Sequence, residues 1–329
     1  MKTPHARISG IAAYVPEYRL TNNELSKMID TTDEWIMQRI GIKERRILID
    51  SRKATSDLAV EAIGSLLKKT QTLPDDVDML ICATITPDMP FPATANIICE
   101  KLRLNNAWGY DISAACSGFI YALVTAAQFV ETGRYKKIVV VGAEKMSSIV
   151  NYQDRAVSPL FGDGAGAVMV EPAIDENGVI DHIFHVDGAG RHFLHQKAGG
   201  SLNPASHHTV DNKMHFIFQE GQTVFKFAVS RMAEVAAELM QKNGLTHNDL
   251  AWLVPHQANM RIISATTRHI GIDANKVMIN IEKYGNTTAA TIPLCLADYE
   301  SQLKKGDKII LVAFGAGFTW GGVYLKWAI

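Results

Sequence analysis

Residues 111–119, DISAACSGF, set Cys116 among the smallest side chains available, after NNAWGY (105–110) and before the apolar, helically spaced run IYALVTAAQFVETG (120–133). A β-branched run, KKIVVVGAE (136–144), follows. The order recurs in residues 286–317, NTTAATIPLCLADYESQLKKGDKIILVAFGAG: a small-residue start, an apolar helix, a polar link and a strand ending in glycine. Working outward, the helix TSDLAVEAIGSLLKK (55–69) leads through TLPDDVD to the strand MLICATITP (79–87). Its counterpart FAVSRMAEVAAELMQKNG (227–244) leads through LTHNDLA to WLVPHQAN (252–259). Between them, ANIICEKLRLNNAWGYDIS answers MRIISATTRHIGIDANKVMINI. Thr84 and His256 stand 172 positions apart, Cys116 and Asn286 stand 170, and Gly142 and Gly315 stand 173. So steady an offset through three successive elements marks an internal duplication.

Alternation of short β-branched runs with amphipathic helices makes the class α/β. The duplication divides the chain into residues 1–175, carrying Cys116, and 176–329, carrying His256 and Asn286. Each half is expected to form one mostly parallel sheet with helices on both faces. Ligands of such sheets lie at the carboxyl ends of the strands. Cys116, His256, Asn286 and Gly315 all follow predicted strands, so packing of the halves about a pseudo-twofold axis would bring them to one cleft.

The chain has 329 residues, 47% hydrophobic and 20% charged, with a net charge of −1. That is enough to bury a large core, and the absence of a basic block argues against nucleic-acid binding. No run approaches the ~20 apolar residues that span a bilayer, and the N-terminus lacks a secretory h-region. A soluble, cytoplasmic protein with reduced thiols is expected. Cys82, Cys99, Cys116 and Cys295 show no zinc-like spacing. Cys82, Cys99 and Cys295 lie in apolar runs and read as packing thiols. Composition alone would place Cys116 with them.

Its position suggests otherwise. The first turn of a helix offers free N–H groups and a favourable dipole to a thiolate, and small neighbours leave room for a carbonyl. Taken singly, His256 in WLVPHQAN also suits a core histidine, and Asn286 in KYGNTTAA an N-cap. The glycines of AFGAGFTWGG suit either a plain turn or an oxyanion hole shared by the N–H groups of Cys116 and Gly315.

The whole chain resembles β-ketoacyl-acyl-carrier-protein synthase III, the initiating condensing enzyme of bacterial type II fatty-acid synthesis, which has a thiolase-like fold. The resemblance runs through TNNELSKMIDTTDEWIMQRIGIKERR (21–46), FPAT (91–94), SAACSGF (113–119), LFGDGAGA (160–167), VPHQANMRIISAT (254–266), YGNTTAA (284–290) and FGAGFTWGG (314–322). It implies five αβαβα layers built from two βαβ-rich halves. It further implies Cys116 as the acyl-accepting nucleophile with His256 and Asn286 as its partners. Acyl-CoA would enter as a substrate, with no cofactor and no metal, and malonyl-acyl-carrier protein would be the second substrate. Trp35 and Arg155 resemble a pair that sandwiches adenine, with Thr31 and Arg39 nearby. Lys226, Arg261 and Arg268 resemble residues that meet an acidic carrier protein. Phe91 resembles an acyl-pocket residue reaching across a homodimer interface. FGDGAGA is no phosphate loop, since no Lys-Ser/Thr follows its glycines, and a tight turn is expected there. Seven of the chain's histidines fall between His182 and His215. No close pair with a supporting carboxylate stands out among them, and a loop over the pocket is expected.

Two other functions suit the same residues. A specialised ketosynthase of secondary metabolism would keep the Cys–His–Asn set, and a Cys–His–Asn hydrolase would pass the acyl group to water. A non-catalytic partner subunit would be expected to have lost part of that set.

Overall fold

The computed structural model describes residues 5–329. In the first half, β1 (Ala6–Tyr14), α1 (Thr55–Thr70), β2 (Met79–Ala83), α2 (Thr94–Leu102), β3 (Trp108–Ile112), α3 (Gly118–Glu131), β4 (Ile138–Lys145) and β5 (Asp163–Pro172) follow in order. The second half runs β6 (Gly178–Val186), α4 (Gly221–Lys242), β7 (Trp252–Pro255), α5 (Met260–Ile270), α6 (Thr291–Tyr299), β8 (Lys308–Gly315) and β9 (Thr319–Lys326). The first sheet has the order β1-β5-β4-β2-β3, the second β6-β9-β8-β7. Strand for strand these are the same order. The position of a fifth strand in the second sheet is held by a single bridge between Leu253 and Val277.

The sheets are mixed, which corrects the expectation of mostly parallel ones. β4, β2 and β3 run parallel, as do β7 and β8, but β5 and β1 are antiparallel to their neighbours, and so are β9 and β6. No crossover helix separates β4 from β5 or β8 from β9, and a parallel pair requires such a connection. Beyond that bridge the Val277–Ile281 stretch, VMINI, forms no strand and is tied down by one buried side chain. Gln257 Oε1 accepts from the N–H groups of Asn280 and Ile281, and its Nε2 donates to the carbonyls of Pro255 and Met278.

Helices α1 and α2 cover the outer face of the first sheet, and α4, with α5 against it, covers that of the second. Helices α3 and α6 lie between the sheets and touch both. Their sequences fit that place: α3 is apolar nearly all round, which demands burial on every side, whereas α4 and α5 keep polar outer faces. The result is five layers, αβαβα. Asp111, at the end of β3, accepts from the N–H groups of Thr94 and Ala95 and so caps α2 from the strand. Among the described residues no helix is long and apolar enough to cross a membrane.

The FGDGAGA stretch is not a tight turn, contrary to expectation. Asp163 to Ala167 belong to β5, and Phe161 pairs with Asn286 in a short parallel bridge. A Cβ on Gly162 would lie 2.3 Å from the Tyr284 carbonyl oxygen, and one on Gly166 2.7 Å from Pro293. These glycines allow the two halves to touch.

Candidate active site

Chain direction brings both central helices to the middle of the molecule by their N-termini. Each begins with a 3-10 turn, Ala115–Ser117 before α3 and Thr288–Ala290 before α6. Each turn opens on a left-handed residue, Ala115 at φ 47° and Thr288 at φ 53°. The matching hydrogen bonds, Ser117 N–H to Ala114 O and Ala290 N–H to Thr287 O, are both 3.0 Å long. These turns are therefore equivalent, and the counterpart of Cys116 is Ala289. That corrects the sequence pairing of Cys116 with Asn286, which slipped by one turn of helix. The Gly142–Gly315 pairing reappears as reciprocal contacts: a Cβ on Gly142 would sit 2.4 Å from Ala289 O, and one on Gly315 2.9 Å from Cys116 N.

A left-handed backbone at a non-glycine residue stores strain and persists only where its surroundings enforce it. At Ala115 the strain turns Cys116 out of β3 and onto the head of α3. The thiol lines a cavity of about 890 Å³ with His256, Asn286, Thr288, Phe314 and Ala316. Cys116 is buried, and burial pushes its thiol well up. The buried Glu144 carboxylate adds to that push, and the residue's own backbone N–H opposes it. The resting side chain is thus a neutral thiol. The N–H expected to favour the thiolate is present, but desolvation outweighs it.

Glu144 was not anticipated as part of the site. It accepts from the Thr84 and Thr86 hydroxyls and from the N–H groups of Ile85 and Thr86. Burial nevertheless raises it to about 7. It ties the end of β2 to β4 beneath the cysteine.

His256 follows β7 and is 1% exposed. Burial lowers its imidazole to about 3, so the ring is neutral at physiological pH. Its Nδ1 lies 2.7 Å from Thr291 Oγ1. Asn286 is held by its backbone, with its N–H on Leu160 O and its carbonyl accepting from Gly162 N–H. Its Oδ1 accepts from Thr288 N–H at 2.8 Å. A backbone N–H can only donate, so the Asn286 amide is oriented with its Nδ2 protons toward the cavity.

The other predicted residues fall at the mouth or outside. Trp35 and Arg39 line the cavity; Arg155 stands over the Trp35 ring, its guanidinium carbon 4.5 Å from the ring centre. A flat ring between them needs roughly 3.5–4 Å on each side, so the pair is closed on itself here and must open to take a base. Thr31 is buried, does not line the cavity, and its hydroxyl has no partner among the described residues. Arg261 lines both the cavity and a neighbouring depression shared with Arg268, while Lys226 is exposed on α4. Phe91 is 84% exposed and does not reach its own chain's cavity. The histidines disperse: His185 stacks on Trp320, His195 packs at a tilt against Phe218, and His215 hydrogen-bonds Thr209. Residues 194–219 form a small hairpin over the cavity, with Leu194 and Ile217 among its lining. Among the described residues no group of three or more His, Cys, Asp or Glu converges to hold a metal.

The chain is similar to known proteins over nearly its whole length. Residues 110–188 match the family model described as 3-oxoacyl-[acyl-carrier-protein] synthase III, and residues 240–327 match that of its C-terminal part. A β-ketoacyl-[acyl-carrier-protein] synthase III of Bacteroides thetaiotaomicron is 58% identical over 99% of this chain and 98% of its own length. The crystal structure of 3-oxoacyl-[acyl-carrier-protein] synthase III from Aquifex aeolicus superposes with a TM-score of 0.90 at 40% identity, over 98% of this chain and 100% of that one. The priming β-ketosynthase of the R1128 polyketide pathway superposes at 0.91 with 32% identity, over 99% of this chain and 97% of that one. With a thiol, a neutral imidazole and an oriented amide in one cavity of that fold, the chain belongs to the β-ketoacyl-acyl-carrier-protein synthase III family of condensing acyltransferases.

Proposed function

We propose that this enzyme takes an acyl group from acyl-CoA onto Cys116 and condenses it with malonyl-acyl-carrier protein, giving the 3-oxoacyl-carrier protein that starts fatty-acid synthesis. One observation carries the reading: a neutral imidazole, on His256, and an oriented amide, on Asn286, share a cavity with a thiol at a helix start. In the first step a Cys116 S–C bond forms, the CoA thioester bond breaks, and the thiol proton ends on CoA. The N–H groups of Cys116 and Gly315 hold the oxyanion. In the second, malonyl-carrier protein loses CO₂, and the electron pair of the broken C–C bond becomes an enolate. Its oxygen is held by His256 Nε2 and Asn286 Nδ2. The carbanion attacks the acyl carbon, and the Cys116 thiolate leaves and takes up a proton. Donors rather than a base suit this step, because decarboxylation removes no proton, and the covalent intermediate divides one hard reaction into two easier ones.

Several features support the substrates. The Trp35–Arg155 stack offers π and cationic faces to adenine, with Arg39 and Thr31 alongside. Lys226, Arg261 and Arg268 make the rim basic, as an acidic carrier protein requires. β3 is an edge strand whose Trp108 packs with Tyr110, Phe129 and Tyr135 at the surface. An exposed edge of this kind invites a second copy, and in such a homodimer Phe91 would wall the partner's acyl pocket. All four cysteines are free, which suits a reducing cytoplasm. The R1128 likeness keeps a specialised ketosynthase in view, with the same two chemical steps.

Mass spectrometry of the intact protein after incubation with a series of acyl-CoAs tests the assignment and identifies the primer. An adduct on the wild type and none on Cys116→Ala is expected. No adduct from any acyl-CoA, or one that survives the substitution, overturns it.

A further inference from the structure

A neutral imidazole has one proton and two nitrogens, so His256 can donate to the substrate only if that proton sits on the nitrogen facing the cavity. Nδ1 is the buried nitrogen, 2.7 Å from Thr291 Oγ1, and Nε2 has no protein partner among the described residues. The Thr291 hydroxyl has a single proton and two acceptors in reach: Nδ1, and the Thr288 carbonyl at 3.1 Å. That carbonyl already accepts the Thr291 backbone N–H, so it does not need the hydroxyl. Nδ1 is the nearer acceptor and has no other partner among the described residues.

We propose that Thr291 is a positioning residue whose hydroxyl donates to Nδ1 of His256 and so fixes the ring as its Nε2–H tautomer, the form able to stabilise an enolate. The same short turn then orients both donors, since the Thr288 N–H fixes the Asn286 amide while the Thr291 hydroxyl fixes the imidazole. A β-branched residue in the left-handed region is an outlier, and Thr288 takes that conformation at the turn that gathers these two contacts. Both side chains of the pair are buried, His256 at 1% and Thr291 at 2% exposure, so water does not compete for Nδ1. The proposal rests on the condensing reading above for its catalytic meaning, but its physical content, the location of one proton, does not.

Long-range ¹H–¹⁵N spectra of the full chain with ¹⁵N-histidine read the tautomer directly, with the His256 signals assigned by their loss in His256→Ala. The wild type is expected to show a protonated Nε2 and an acceptor Nδ1. In Thr291→Val that preference is lost, and in Thr291→Ser it is retained. In kinetics, Thr291→Val should lower kcat for malonyl decarboxylation about 10- to 100-fold, the cost known for partners that orient metal-bound imidazoles and carried over here to a metal-free ring, with KM little changed and with Thr291→Ser restoring the rate. A wild-type ring protonated on Nδ1 overturns the proposal even if Thr291→Val fails to fold. A correct tautomer in a protein that never forms an acyl-cysteine would leave this proposal standing and defeat the condensing reading instead.

Discussion

The turn Ala114–Gly118 and the turn Thr287–Thr291 are one backbone device used twice. Each places a left-handed residue at the head of a central helix and closes on a 3.0 Å hydrogen bond. Their side chains divide the work. The first is Ala, Ala, Cys, Ser, Gly, bare enough for a carbonyl to approach the sulfur. The second is Thr, Thr, Ala, Ala, Thr, with Ala289 where the sulfur would be and polar atoms that grip Asn286 and His256. A shared fold element is therefore chemically silent, and the reaction is written in what each copy carries. On the proposed reading, one turn performs the covalent step and the other aims the groups that stabilise charge.

The largest effect expected from this division comes from a matched pair of glycines. Gly315→Ala and Gly142→Ala put a methyl group against the first and second turn respectively, at 2.9 Å from Cys116 N and 2.4 Å from Ala289 O. Displacing an oxyanion donor costs about 10²–10³ in rate, so Gly315→Ala should slow acylation of Cys116 by that factor. Gly142→Ala should instead lower stability by about 1–3 kcal/mol through overpacking, with a much smaller loss of acylation per folded molecule. Thermal melts and adduct formation timed by mass spectrometry separate the two. Equal losses of acylation in both variants would break the comparison.

Next in size is the second turn's own chemistry. Asn286→Ala should still accept an acyl group within a few-fold of the wild-type rate, yet lose about 10²-fold in decarboxylation. The pH profile adds a constraint. Because burial lowers His256 to about 3, the ring is neutral at all working pH values, and the decarboxylation rate should show no inflection near 6.5. The linked stability has a definite sign. Since the folded value lies below the usual 6.5, the neutral ring's contribution is complete above pH 6.5 and is lost as pH falls toward 3. An activity inflection at 6.5 assignable to His256 would mean a charged ring, and a different role for the second turn.

Much of this arrangement was legible in residue order, because duplication and helix periodicity are local signals. DISAACSGF announced a helix start beside a thiol, and the repeated strand–helix spacing announced two equivalent halves. What escaped was set by contacts between distant residues. The Cys116–Asn286 pairing slipped because both lie near helix starts and only backbone geometry shows which residues are equivalent. The antiparallel strands depend on short links whose course carries no periodic mark. Gln257, Glu144 and Thr291 do their work through hydrogen bonds to partners 20 to 60 positions away, so nothing beside them in the chain betrays it. Trp35 and Arg155 lie against each other across about 120 positions of chain, a contact that no local pattern announces.

That stack yields the smallest effect, and it sharpens the contrast between the buried turns and the mouth. Arg155 is half exposed, 3.9 Å from Asp30, and lies over Trp35. An adenine that slides in replaces one cation–π contact by two stacked faces, so the net gain is modest, about 0.5–1 kcal/mol for an exposed pair. Arg155→Ala should therefore raise KM for acyl-CoA two- to fivefold. Since neither turn is touched, kcat and the malonyl half-reaction should stay where they are. Should the KM for acyl-CoA instead fall, Arg155 would be covering Trp35 rather than serving it, and the adenine would have to be sought on the other wall of the mouth.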